Sequence, residues 1–452
     1  MEHDNIKNNA AAIDAELQWF YRVLDTRLKL HFGHDCEVND IVAIKPPQII
    51  ADESMYGSFI AHYNFSFEER LVFVLSLVPH IRPQSLDVFF TQNAEMARQF
   101  TEFGGTNHTD GPAFLPTGET ALFLIAGSDL FRRIRAQHLF QMDHVFARHN
   151  ILKLERSPVK EPEFSGHLQL SQEIIDLVTT GHIRKPMFSS DFPARYIETA
   201  LEWDDLVLEH STMEQVLEIK AWIEYGDVLL GELELAKKIK PGFRSLFYGP
   251  SGTGKTLTAT LLGKMTELDV YRIDLSMVVS KYIGETEKNL EKIFEQAEHK
   301  NWILFFDEAD ALFGKRTEIN DAHDRFANQE VSYLLQRIED YAGVVILATN
   351  MKSNLDEGFT RRFQSIIHFP MPKAQHRERL WQNGFSPKMP LAPDVDLHSF
   401  AEKFELSGGA IMNVVRYATL MALKNQEKHI SRQCIVNGLH KEMKKEGRTV
   451  QL

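Results

Sequence analysis

Apolar positions change rhythm along this chain. Between Ala11 and Phe32 they fall at Leu17, Phe20, Leu24 and Leu28 against a charged opposite face, the spacing of an amphipathic helix. Glu68 to Val78 predicts a second helix that stops near Pro79, and Asp87 to Phe100 predicts a third. Gly104-Gly-Thr-Asn-His-Thr-Asp-Gly-Pro112 reads as a loop. Pro116–Ala126 and Leu130–Phe140 predict short helices, and Ile151–Leu154 and His167–Leu170 short strands. Ser171 caps a predicted helix from Gln172 to Val178, ended by Thr179-Thr-Gly181. Short helices followed by strand-like pieces suit a separate N-terminal α/β domain, winged-helix-like in pattern, over residues 1–156. Ser157-Pro-Val-Lys-Glu-Pro-Glu163 opens a connecting segment over 157–202.

The rhythm differs from Trp203 onward. Trp203–Leu208 reads as a strand, and Ser211-Thr-Met-Glu214 is a capping-box pattern opening a helix to about Tyr225. Strands and helices then alternate to about Pro370. The runs at Arg244–Tyr248, Trp302–Phe306 and Val344–Ala348 read as buried strands, and the Trp302 run, with no polar alternation, suits a central parallel strand buried on both faces. The predicted fold class is therefore α/β, a parallel sheet flanked by helices over residues 203–371, followed by a small helical domain over 372–452.

Composition narrows this picture modestly. The chain has 452 residues, enough for two to four domains, with 43% hydrophobic and 25% charged residues. A net charge of −13 argues against broad electrostatic binding of nucleic acid or anionic membrane. Cys36 and Cys434 are the only cysteines and have no metal-like spacing, which fits a reducing cytoplasm. The polar start Met1–Asn9 is unlike a signal peptide, and the run Leu71–Val78 is too short to span a bilayer.

The chemistry is concentrated in Gly249-Pro250-Ser251-Gly252-Thr253-Gly254-Lys255-Thr256. It lies between a buried-strand run and Leu257-Thr-Ala-Thr-Leu-Leu262, which reads as helix. A strand, G-x-x-x-x-G-K-[ST] and a helix together are the P-loop context. The glycines allow the backbone to wrap a polyphosphate, and the helix N-terminus adds an anion site. Lys255 would reach the β- and γ-phosphates of ATP, and the Thr256 hydroxyl would bind Mg²⁺. Trp302-Ile-Leu-Phe-Phe-Asp-Glu-Ala-Asp310 ends a buried run in acids, where ligands bind in open α/β sheets. Asp307 would hold the magnesium shell, and Glu308 would serve as general base toward water. Asn350 closes the third run and could bond both a γ-phosphate oxygen and the attacking water.

The three runs, their order and their endings resemble the AAA family of ATPases within the wider AAA+ class. The resemblance spans about Trp203 to Leu439, and the single-module arrangement is similar to bacterial AAA proteins, some encoded beside contractile injection systems. It implies a P-loop NTPase fold with a helical lid and a shared site in a homo-oligomer, a hexameric ring. Ser280-Lys-Tyr-Ile-Gly-Glu285 is similar to the family's first pore loop, in which Tyr282, flanked by Ile283, would grip a polypeptide. Taken alone, Tyr282 reads better as a half-buried cap aromatic. Leu355–Phe363 is similar to the arginine-finger segment. Arg361 and Arg362 would reach a neighbouring subunit's γ-phosphate, although two surface arginines at a helix end are common without such a role. Leu406-Ser-Gly408-Gly409 is similar to the sensor-2 region, whose glycines would let backbone approach the nucleotide. Asp324–Glu330 falls near the second pore loop, and Thr349-Asn-Met-Lys352 departs from the usual sequence after the sensor asparagine. The resemblance implies a Mg²⁺-dependent ATP hydrolase that remodels a protein substrate. The alternative is a nucleotide-controlled scaffold that docks a partner through its N-terminal domain without threading.

Overall fold

A computed structural model describes residues 2–93, 98–107, 113–155, 161–189, 192–278, 285–298, 300, 302–309, 322–350, 360–445 and 447. The chain divides into two compact units, Met1–Lys185 and Pro186–Leu452.

The first unit is mainly helical. Helix α1 (Glu2–His31) buries Leu17, Phe20 and Leu24, as the spacing predicts, but begins nine residues before Ala11. Its polar start is tied down by Asn9, whose amide donates to Thr179 O at 3.2 Å and accepts from Tyr56 N at 3.1 Å. Helices α2 (Met55–Tyr63) and α3 (Phe67–Ile81) follow. Ser66 and Glu69 form a capping box on α3, and the helix carries Pro79 inside its last turn rather than ending there. The predicted third helix is not formed. A 3₁₀ stretch, Pro83–Phe90, leads into a ribbon of β1 (Gln92–Asn93) and β2 (Arg98–Gln99). Phe89 is drawn inward to stack on Phe114 at 5.0 Å, a contact that local periodicity cannot foresee.

A second ribbon pairs β3 (Thr106–Asn107) with β4 (Phe114–Leu115). Helices α4 (Gly118–Ala126), α5 (Leu130–Ala136) and α6 (Val145–Arg148) precede a ribbon of β5 (Leu152–Leu154) and β6 (Leu168–Leu170), then α7 (Gln172–Thr180). Buried Arg27 donates to Leu124 O and Ile125 O, both at 2.8 Å, and so satisfies the carbonyl end of α4. Gly181 closes α7 at φ +80° in a left-handed cap, at the helix end predicted there. β6 and α7, inside the segment read as a connector, thus pack into the first core.

The second unit opens with β7 (Arg195–Ile197). Trp203–Asp205 is 3₁₀ helix, not the predicted strand, because Asp205 Oδ2 accepts from Glu202 N at 2.8 Å and curls the chain. Helix α8 (His210–Asp227) starts one residue before Ser211, with Glu209 at its cap. The alternation then runs β8 (Phe243–Tyr248), α9 (Lys255–Thr266), β9 (Val270–Asp274), α10 (Leu275–Val278), α11 (Glu285–Ala297), β10 (Ile303–Asp307), α12 (Ala322–Asp340), β11 (Val344–Thr349) and β12 (Ser365–His368). Among the described residues these strands form one six-stranded sheet, ordered β12-β8-β11-β10-β9-β7. Five strands are parallel and β7 joins β9 antiparallel at the edge. β8, β10 and β11 are buried along nearly their whole length, with separate apolar clusters on the two faces of the sheet.

The C-terminal part is α13 (Ala374–Gly384), α14 (Leu397–Lys403), α15 (Gly408–Lys424) and α16 (Arg432–Lys445), packed around Trp381, Ile411, Val414 and Leu439. It is the small helical domain expected after the sheet.

Candidate nucleotide site

The site grows from the carboxyl ends of β8, β10 and β11. β8 leaves the core at Tyr248 and turns through Gly249 (φ +144°), Gly252 (φ +75°) and Gly254 (φ +104°) into α9. At Gly249 a Cβ would collide with Phe369 O, so the turn admits no other residue without displacement of backbone. Gly254 occupies the N-cap of α9 without a side-chain cap, which leaves the first-turn N–H groups and the positive helix end facing the loop.

Lys255 begins α9 and is 8% exposed. Its ammonium donates to Gly249 O at 2.6 Å, Pro250 O at 3.0 Å and Asn350 Oδ1 at 3.1 Å. The P-loop and Asn350, 95 positions apart, are thereby joined through one cation. Asp307 ends β10. Its Oδ1 accepts from Glu308 N at 3.0 Å, and its Oδ2 lies 3.1 Å from Arg272 Nη2. Glu308 sits at φ +53°, a left-handed conformation costing roughly 1–2 kcal/mol outside glycine, of the kind found where a site constrains its backbone.

A cavity of about 560 Å³ joins these elements. Its walls include Ser251, Gly252, Thr253, Gly254, Lys255, Thr256, Asp307, Glu308, Asn350, Gly408 and Gly409, all candidates from sequence. The glycine pair enters because Gly409 N donates to Gly252 O at 2.9 Å, which seats the start of α15 on the P-loop. Ser407 caps α15 by accepting from Ala410 N at 3.3 Å. Gly249 and Pro250 contribute by holding Lys255 rather than by lining the cavity. Arg361 and Arg362 also stand outside its walls, and Arg362 pairs with Glu339 on α12. Tyr282 and Ile283 lie outside the described residues. Asp324 and Arg325 fall in α12.

Several wall residues were missed in the sequence. Leu206, Leu208, Pro370, Leu380 and Met412 add apolar wall, and His376 and Arg272 add polar wall. Glu209 also faces the cavity, and the Lys373 ammonium beside it holds its carboxyl below the usual carboxylate range. A signal for Arg272 did exist: it is a lone cation inside the strand Val270-Tyr-Arg-Ile-Asp274.

These residues fit a nucleoside polyphosphate. The loop turns through three positive-φ glycines, of which Gly249 has no room for a Cβ, a lysine and a helix N-terminus supply positive potential, and the remaining walls are largely apolar. The hard oxygens of Thr256 and Asp307 are of the kind magnesium takes.

Fold and site together define a P-loop nucleotide-binding domain with a helical lid. Residues 245–371 match the model of the ATPase family associated with various cellular activities, AAA. The chain is 32% identical over 233 residues to a cell division cycle protein 48 homolog of Archaeoglobus fulgidus, covering 50% of this chain and 31% of that protein. It is 36% identical over 219 residues to a proteasome-activating nucleotidase of Methanocella arvoryzae, covering 47% and 52%. It is 33% identical over 243 residues to a 26S proteasome regulatory subunit 4 homolog B of Arabidopsis thaliana, covering 52% and 54%. The chain therefore spans about half the length of two of these relatives and about a third of the other. It carries an AAA ATPase domain, and no helix among its described residues is long and apolar enough to cross a membrane.

Proposed function

We propose that the protein is a Mg²⁺-dependent ATP hydrolase that works as a homo-oligomeric ring, a hexamer, and remodels a protein substrate in the cytoplasm. The observation that carries this reading is the convergence of Lys255, Asp307, Glu308 and Asn350 on one cavity roofed by Gly408 and Gly409. The P-loop N–H groups and Lys255 would bind the phosphates. Thr256 and Asp307 would hold Mg²⁺, which when bound neutralises charge on the β- and γ-phosphate oxygens. Glu308 would take a proton from water, and Asn350 would orient that water. Arg361 and Arg362, away from their own chain's cavity, would act in a neighbour's site, where a finger of this kind is worth about 10³–10⁵ in rate.

Work on protein is supported by the likeness to relatives named for the proteasome and by the Lys-Tyr-Ile-Gly-Glu segment around Tyr282. The first unit would bind a partner or the substrate. In the second reading the ring is a nucleotide-built scaffold. Tyr282→Ala separates them: remodelling of a captured substrate should fail while ATP-driven assembly survives.

Glu308→Gln tests the core of the proposal. Hydrolysis should fall by roughly 10²–10⁴-fold, while mass photometry in ATP shows a trapped ring. Normal turnover in that variant would remove Glu308 as the base. A rate per subunit independent of concentration, from a monomer, would remove the shared site.

A further inference from the structure

We propose that Arg272 is a positioning residue of this site. It holds the Asp307 carboxylate as a resident counter-cation and so sets how much magnesium nucleotide binding requires. The inference rests on the reading of Asp307 as a magnesium ligand.

Three observations carry it. First, sheet register puts the pair together. In the parallel pairing of β9 and β10, Arg272 stands opposite Phe305 and Asp274 opposite Asp307. Register partners, and residues two apart on a strand, share a face, so Arg272 and Asp307 lie on the same side of the sheet. Phe305 marks that side as the one covered by α9, through Ala259 and Leu262. Second, both oxygens of Asp307 are engaged, Oδ1 by Glu308 N at 3.0 Å and Oδ2 by Arg272 at 3.1 Å. Arg272 is 38% exposed and Asp307 18%, and both line the nucleotide cavity. The pair is thus open to exchange, not sealed in the core. Third, β7 places Arg195 directly across from Arg272 in the antiparallel pairing. Like charges directly opposite repel, which favours a guanidinium turned away toward Asp307.

A cation on Oδ2 is one that magnesium must displace or share with. Once displaced, the guanidinium remains beside the polyphosphate, so its charge stays useful when nucleotide is bound.

The test is a magnesium titration of N-methylanthraniloyl-ADP binding to the full chain, read by fluorescence, with affinity in EDTA measured alongside. Arg272→Gln should lower the magnesium midpoint by roughly two- to fivefold, the range of a partly exposed ion pair. Arg272→Lys should restore a midpoint near wild type. Arg195→Glu keeps Arg272 but offers it a carboxylate across the strand pair, and should lower the midpoint in the same direction. It keeps the test decisive should Arg272→Gln fold poorly. A midpoint unchanged or raised in both Arg272→Gln and Arg195→Glu overturns the proposal. Asp307→Asn separates the two readings: if it loses magnesium dependence, Asp307 is a ligand and a failure belongs to Arg272 alone. If it binds with wild-type magnesium dependence, the reading of Asp307 falls.

Discussion

Two arginine–carboxylate pairs in this protein are alike in chemistry and opposite in consequence. In the first unit Arg70 meets Glu16, whose side chain is 1% exposed, and also donates to Pro47 O at 2.9 Å. In the second unit Arg272 meets Asp307 at the edge of a cavity. Burial removes water as an alternative partner, so the first pair can only be kept or broken. Among the described residues Glu16 Oε2 and the nearby Tyr56 hydroxyl are buried without a hydrogen-bond partner, which makes that pocket still less tolerant of a lost charge. The second pair keeps access to solvent, so its partners can be exchanged at small cost.

The sharpest way to break this comparison is Arg70→Ala. Leaving Glu16 charged and alone should cost the first unit about 3–5 kcal/mol, read as its transition in urea. Nucleotide affinity should not change, and a loss there would mean the two pairs are not functionally separate. Next is the pH dependence of the same pair. Burial raises the Glu16 carboxyl above its ordinary range, with Arg70 pulling it back. The native state thus holds this proton to higher pH than the unfolded chain. Its stability contribution falls as pH rises through the window between the ordinary and the raised values. Urea midpoints at about pH 5 and pH 7 should show that fall, and Glu16→Gln should flatten it. An unchanged slope in Glu16→Gln would assign the dependence elsewhere.

A smaller effect is expected at the lid. Ser407→Ala removes the cap of α15 and should cost about 0.5–2 kcal/mol. Because Gly409 hydrogen-bonds Gly252, it should also weaken fluorescent ADP binding in magnesium, and stability loss without that weakening would uncouple lid from loop. The smallest is Arg272→Gln, expected to change thermal stability by no more than about 1 kcal/mol. A loss comparable to that of Arg70→Ala would make it a structural pair after all.

Much of the second unit was legible because its requirements are local. Gly249, Gly252 and Gly254 need their φ angles within one loop, and the runs ending at Asp307 and Asn350 are apolar because both strand faces are covered. The first unit was harder to read. Residues 87–100 carry helix-like spacing, yet Phe89 stacks on Phe114 and the chain becomes 3₁₀ turn and ribbon. Trp203–Leu208 has the apolar content of a strand, yet a carboxylate two residues into the run bends it. In both places the winning contact was a side chain that the periodicity of the run does not describe.

The sequence by itself determined the phosphate loop, the acids at the end of β10 and the asparagine that follows β11, since each is a strand end written in adjacent residues. Tertiary structure decided what surrounds them. Lys255 reaches Asn350 across 95 positions, Gly409 reaches the P-loop from the lid, and β7 closes the sheet beside β9. Arg272 finds Asp307 only because β9 and β10 are neighbours in a particular register. A strand encodes which of its residues share a face; which strand lies next to it, and how far along, is settled by the packing of the whole sheet.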